Sequence, residues 1–242
     1  MSINYNILAK DYDLTRTANT DIINRMVSEL SLDGKVILDF GCGTGNFISA
    51  LKKQVAVCIY GIEPSEGMRE KALAKGLDVR YGNHSYIPFN DNFFDFVYMT
   101  FVIHHVSDLE IMFLEVKRVL KPGGFICILT HSHNQIETSF WGKFFPTSIQ
   151  TQKERYPDIP RIIQASNTVG LKECKTDTIN KKFILSEKHI KLVENKGGYS
   201  IFSLISDADY KAGLEAIKRE FYRNTFVQNT HGNTLVWLKK EI

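Results

Sequence analysis

The 242-residue chain is poor in features that mark several protein classes. It has four cysteines, at 42, 58, 127 and 174, and no two of them form a C-x-x-C pair. Neither a paired-cysteine metal site nor a disulfide framework is encoded. Three of the four lie in apolar runs, so they read as reduced, mostly buried thiols suited to a reducing cytosol. No apolar run approaches the ~20 residues needed to cross a bilayer. The opening MSINYNILAKDYD is polar and holds no apolar h-region, so no secretory signal is expected. Charge of one sign is also missing. Thirty Lys and Arg against twenty-seven Asp and Glu leave a net charge of +3. That balance gives no argument for a nucleic acid or a membrane surface as partner. The short basic pairs Lys52-Lys53, Lys181-Lys182 and Lys239-Lys240 are scattered and read as solvated surface. No internal repeat or low-complexity stretch is present.

What remains is an ordinary globular composition, 43% hydrophobic and 24% charged. The length suits one large domain or a domain with a lid. Strands and helices alternate through the first half. Ile22, Ile23, Met26, Val27 and Leu30 fall on one side of a helix over 20–30. Residues 36–40 (VILDF) form an apolar run ending at glycines, as a buried parallel strand does. Helices are predicted over 46–53, 65–75 and 108–119, the last stopped by KPGG. Further strands are predicted over 55–62, 78–81, 93–101 and 125–130. Repeated β-α-β units imply an α/β fold with a doubly wound, mostly parallel sheet. After His131 the pattern loosens. Two short helices broken by Pro146, Pro157 and Pro160 are predicted over 134–170, then a strand over 172–184, a helix over 207–223 and a last strand over 233–239. Seven strands in one domain result: an N-terminal helical lid over 1–30, a core over 31–133, and an insertion with the rest of the sheet over 134–230.

One stretch carries a ligand signal. Strand residues Val36 to Phe40 run into Gly41, Gly43 and Gly45, and a helix follows. Glycine opens backbone angles closed to other residues and lets a ligand approach the main chain. The helix start adds unpaired N–H groups, and such loops lie at the ligand-binding edge of parallel sheets. The spacing is G-x-G-x-G, with Asn46 where a dinucleotide fingerprint has its third glycine, and no P-loop Lys follows. Asp39 precedes the loop by two residues. A carboxylate there repels a pyrophosphate and can accept hydrogen bonds from an ammonium. S-adenosylmethionine has an ammonium and a sulfonium and no phosphate.

The run DFGCGTGN resembles the first motif of the class I S-adenosylmethionine-dependent methyltransferases, in their group of small-molecule enzymes. The resemblance continues in order through Gly61-Ile62-Glu63-Pro64-Ser65, Gly82-Asn83, Ile87-Pro88-Phe89 with Phe94-Asp95-Phe96-Val97, and Leu114 to Gly124, covering about residues 36–131. It implies a Rossmann-like methyltransferase fold, with S-adenosylmethionine as cofactor and S-adenosylhomocysteine as its product. It implies cofactor binding by Asp39, Gly41, Gly43, Glu63, Pro64, Met68, Asn83, His84 and Phe101. Glu63, at a strand end some twenty residues past the glycines, is the ribose-binding acid. Asp39 orients the loop or takes the ammonium through water. Met68 and Asn83 bracket the adenine, although the family more often has Asp at position 83, and a Met on a helix or an Asn after glycine has a plain role in core or turn. Tyr12 and Arg16 belong to a segment that related enzymes fold over the cofactor, where an aromatic face attracts the sulfonium and Arg pairs with the carboxylate. Tyr12 also reads as a surface-helix residue.

Three histidines are candidate bases for deprotonating an acceptor: His104 and His105 after the fourth strand, and His131 after the fifth. Packing beside the cofactor is the alternative for the first two, and loop exposure for the third. His131 and His133 form an H-x-H pair, but two ligands fall short of a site, so no metal is expected. The aromatics Phe140, Trp141, Phe144 and Phe145 form core or an apolar lid that excludes water from a methyl transfer. The implied activity is methyl transfer to O, N or C of a small molecule in the cytoplasm. No Asn-Pro-Pro-[Tyr/Phe] run follows the fourth strand, which argues against amide N-methylation of nucleic acid or protein. The rival readings are a tRNA or rRNA methyltransferase, a non-catalytic cofactor-binding partner subunit, and a dehydrogenase, which the Asn46 position opposes.

Overall fold

A computed structural model describes residues 12–194, 200–223 and 228–242. The chain opens with α1 (Tyr12–Thr15) and α2 (Thr20–Glu29). Asn19 caps α2 by accepting from the Asp21 N–H, and Ile22, Ile23 and Met26 form its buried face. Then come β1 (Val36–Phe40), α3 (Asn46–Leu51), β2 (Cys58–Ile62), α4 (Glu66–Ala74), β3 (Asp78–Arg80) and β4 (Phe94–Thr100). α5 (Leu109–Val119) starts where Asp108 accepts from the Ile111 N–H. It buries Leu109, Met112, Phe113 and Val116 at the 3–4 spacing that fixes one helical face against the sheet. β5 (Leu120–Thr130) follows without a loop.

The second half holds α6 (His133–Glu137), α7 (Phe140–Phe144), α8 (Thr147–Arg155) and α9 (Ile159–Thr168). β6 (Leu171–Ile184), α10 (Glu187–Glu194), α11 (Asp207–Arg223) and β7 (Gln228–Lys240) complete the chain. The sheet has seven strands in the order β3-β2-β1-β4-β5-β7-β6. β1 pairs in parallel with both β2 and β4, β4 pairs in parallel with β5, and β7 runs antiparallel to β5. The doubly wound, mostly parallel α/β architecture expected from the alternation is present. Strand order reverses between β1 and β4, so the crevice beyond their C-terminal ends is the topological place for a ligand.

Two compact units divide the described residues, one of 12–130, 159–177 and 234–242, the other of 131–158 and 178–233 apart from its undescribed stretches. The first has an aliphatic core of Leu38, Val97, Ile126, Ile128 and Val236 from the sheet with Met112, Phe113 and Val116 of α5. The second is held by an aromatic cluster in which Phe202 lies 4.7 Å from Phe145 and 5.9 Å from Trp141 between ring centroids.

Three sequence expectations need correction. Residues 134–170 carry four helices, not two. Pro146 stands at the N-cap of α8, and Pro160 is the second residue of α9, where a missing N–H costs nothing. The fifth strand begins at Leu120 rather than Phe125. Leu120 pairs with Phe94 and Phe125 with Phe96, so KPGG bulges out of the ladder rather than forming a separate turn. Of the cysteines, Cys42 and Cys127 are buried but Cys58 and Cys174 are exposed, because each of the latter sits on an outward-facing strand position.

Candidate functional site

The glycine loop follows the buried end of β1 and is stitched to the end of β2. The N–H groups of Gly41 and Cys42 both donate to the Ile62 carbonyl, at 2.8 and 3.0 Å. Gly41, Gly43 and Gly45 all have positive φ, 71°, 55° and 76°. A side chain at Gly41 would put its Cβ 2.7 Å from both methyls of Val102, so this position needs glycine for space as well as for conformation.

Two carboxylates flank the loop. Glu63 leaves the end of β2 and is 8% exposed. Its Oε2 accepts from the Gly43 N–H and its Oε1 from the Ser65 N–H, each at 2.9 Å. Burial pushes its pKa up, opposed by those two N–H groups and by the charge of Arg69. Arg69 itself donates to the carbonyls of Glu63 and Pro64 at 3.0 and 2.9 Å, which fixes the chain between β2 and α4.

Asp39, in β1, is fully buried. Its Oδ2 accepts from the Tyr98 hydroxyl at 2.9 Å, whereas Oδ1 is a buried oxygen with no hydrogen-bond partner. Desolvation raises its pKa to about 8, against the Tyr98 bond and with help from the Glu63 charge. Among the described residues no ion pair involves Asp39. An acceptor buried without a partner costs on the order of 1–3 kcal/mol. A bound ligand with a cationic donor removes that cost. An ammonium-bearing, phosphate-free cofactor therefore fits these residues, and a pyrophosphate does not.

The remaining expected contacts fall as follows. The Tyr12 ring lies 3.7 Å from where a Cβ on Gly43 would stand, with Arg16 6.0 Å from its centroid. Burial raises the Tyr12 pKa, Arg16 opposes this, and the carboxylates of Glu63, Asp13 and Asp39 add to it. Tyr12 thus lies in the field of both loop carboxylates. Met68 is 1% exposed on α4. Asn83 closes a local turn: its Oδ1 accepts from the Ser85 N–H and hydroxyl at 2.9 and 3.0 Å, and its own N–H donates to the Tyr86 carbonyl. His84 Nε2 is 3.0 Å from the Ser107 hydroxyl. Phe101 directly follows β4 at φ 54°, an angle unusual for a residue with a side chain. His104 and His105 follow it in a short 3-10 turn, Ile103–His105, with ring centroids 4.0 Å apart.

His131 belongs to the other unit. Its Nδ1 is 3.3 Å from the Gly232 carbonyl and its ring 5.8 Å from Tyr156. His133 Nε2 is 2.8 Å from the Tyr156 carbonyl. Among the described residues no group of three or more His, Cys, Asp or Glu is placed to hold a metal ion. No described helix is long and apolar enough to cross a membrane.

Sequence reading missed several members of this site. Tyr98 is one: its spacing marks it only as a strand residue, and its bond to Asp39 is a cross-strand event. Asp13, Thr44, Asn46 and Lys75 are the others. Asp13 accepts from the Thr44 hydroxyl, from Asn46 Nδ2 at 3.0 Å and from Lys75 Nζ at 2.8 Å. Asn46 was legible only as a mismatch to the dinucleotide pattern.

Residues 38–128 match a family model described as a methyltransferase domain. A demethylmenaquinone methyltransferase of Geobacillus stearothermophilus is 36% identical over 120 residues, 46% of this chain and 50% of the relative. One from Staphylococcus aureus is 37% identical over 106 residues, 41% of this chain and 44% of the relative. The chain spans about half the length of these curated relatives. Among solved structures, one from Anabaena variabilis, described as a methyltransferase from an antibiotic biosynthesis pathway, superposes with a TM-score of 0.70 over 92% of this chain and 98% of its own, at 22% identity. That likeness shows the fold. With its glycine loop and ordered motifs, the stretch 38–128 is thus similar to the methyltransferase domain of these relatives.

Proposed function

We propose that the chain binds S-adenosylmethionine at the C-terminal ends of β1, β2 and β4 and transfers its methyl group to a small-molecule acceptor in the cytoplasm. The observation that carries this reading is the buried Asp39 with its unpartnered oxygen beside a glycine loop in which Gly41 and Gly45 lack room for a side chain. Asp39 would face the cofactor's amino-acid end, and Glu63 would use its free lone pairs on the ribose hydroxyls. Gly41 and Gly43 would let the ligand lie against the main chain. Pro64, Met68, Asn83, His84 and Phe101 would border the adenine and the methyl-bearing end. Tyr12 and Arg16 would cover the site from the N-terminal side.

When bound, the cofactor supplies an electrophilic methyl group on its sulfonium. The chain's task is then to align a nucleophile and to take its proton. His104 and His105, next to the end of β4, are candidates to receive that proton. His131, at the end of β5, is the third.

The test is transfer of labelled methyl from S-adenosylmethionine to a panel of quinols, phenols and amines. Demethylmenaquinone, named for two relatives, is the first member. Formation of a methylated small molecule with stoichiometric S-adenosylhomocysteine supports the reading. Transfer to RNA alone, or tight cofactor binding with no transfer to any acceptor, contradicts it.

A further inference from the structure

The segment carrying Tyr12 is bonded to the glycine loop by a closed set of polar groups. Asp13 is the centre, with donors from Thr44 and Asn46 of the loop and from Lys75 at the end of α4. Lys75 Nζ completes the set by donating to the Thr44 carbonyl at 2.9 Å and to Asn46 Oδ1 at 2.8 Å. Burial works to raise the Asp13 pKa, but bonds from Lys75, Thr44 and Asn46 outweigh it and hold the carboxyl below its ordinary range. Asp13 is therefore ionised at neutral pH.

An exposed ion pair alone contributes little. This one differs in two respects. Its groups satisfy one another as a network, and charge-assisted bonds are the stronger kind. Two of its donors also belong to the loop against which a ligand must lie. Thr44 is buried at 1% exposure, so its hydroxyl is fixed in direction. Asn46 holds the position at which a dinucleotide site has glycine, and here its side chain reaches both Asp13 and Lys75.

We propose that Asp13, Thr44, Asn46 and Lys75 form a latch that positions Tyr12 over the glycine loop and sets the rate of cofactor exchange. The inference rests on the reading that this loop binds S-adenosylmethionine. A ligand lying against Gly43 would meet the Tyr12 ring, which stands 3.7 Å from that glycine's missing Cβ. Asp13 is the next residue, so its bonds to Thr44, Asn46 and Lys75 anchor the backbone that carries the ring. The four latch groups act through Tyr12 and are positioning residues.

The experiment is a chase of labelled S-adenosylhomocysteine from the full chain, giving its dissociation rate. Asp13→Ala removes the acceptor for Thr44, Asn46 and Lys75 and is expected to speed dissociation about tenfold or more. Lys75→Arg should stay near the native rate, because the cation is kept. In a Tyr12→Ala background, Asp13→Ala should add almost nothing, since both changes remove the same cover. An unchanged rate in Asp13→Ala overturns the latch, and so do independent, multiplying effects of the two substitutions. Thermal melts check folding; if Asp13→Ala does not fold, Lys75→Met is measured with the same expectations. Failure of the native chain to bind S-adenosylhomocysteine at all would overturn the functional reading and the latch with it, an outcome distinct from binding with an unaltered rate.

Discussion

Replacing Asp39 by Asn separates two accounts of the buried acid. Its pKa in the fold is about 8, raised by burial from an ordinary 3.8. Below pH 4 both folded and unfolded chains hold the proton, and its contribution to stability is whole. Between pH 4 and 8 the unfolded chain ionises there and the folded chain does not. Stability then falls with rising pH by about 1.4 kcal/mol per unit. From pH 4 to 7 the loss amounts to about 4 kcal/mol. Asn matches the protonated acid in shape. Its oxygen can accept from the Tyr98 hydroxyl, and its NH2 would occupy the place of the unpartnered Oδ1. All other carboxyls titrate alike in the two proteins, so their difference isolates Asp39. Urea unfolding followed by circular dichroism at pH 5, 6 and 7 is the assay. The Asp39→Asn variant should gain on the native chain by about 1.4 kcal/mol per pH unit, with an unchanged m-value. Two stability curves that stay parallel across this range would show that Asp39 is already ionised in the free protein, and the reasoning would fall.

Three further substitutions test other parts of the account. Tyr98→Phe removes the hydroxyl that donates to Asp39 and should cost about 1–3 kcal/mol in urea titrations; a neutral effect would mean the bond is not made. Gly41→Ala meets both Val102 methyls at 2.7 Å and a positive φ, so a loss of about 2–4 kcal/mol is expected, and an unchanged unfolding midpoint would contradict the loop geometry. Phe202→Ala empties the centre of the aromatic cluster and should cost about 3–5 kcal/mol, with protease cleavage appearing first within 131–158 or 178–233; cleavage confined to the other unit would refute the assignment.

The sheet was legible because its strands are short apolar runs that end at glycine or at a cap. VILDF before Gly41 is an example, and the Asp108 cap before Leu109 marks a helix in the same way, each a local signal with a local cause. Glu63 was legible for the same reason, as an acid at a strand end a fixed distance past the loop. The helices after His131 were less so. Their prolines sit at caps and in first turns, where they permit a helix that the sequence pattern reads as broken. The polar detail of the site was hidden altogether. Asp13, Asn46 and Lys75 come from three separate elements, and nothing in any one of them shows that they meet. Asn83 had both a ligand and a turn reading, and its oxygen is engaged in the turn.

Calorimetric titration of the full chain with S-adenosylmethionine, beside a second titration with NAD, tests the central claim most directly. Saturable one-to-one binding of S-adenosylmethionine, none of NAD, and loss of the former in Glu63→Ala is the result predicted. A folded native chain that takes up no S-adenosylmethionine, or that prefers NAD, would contradict the account.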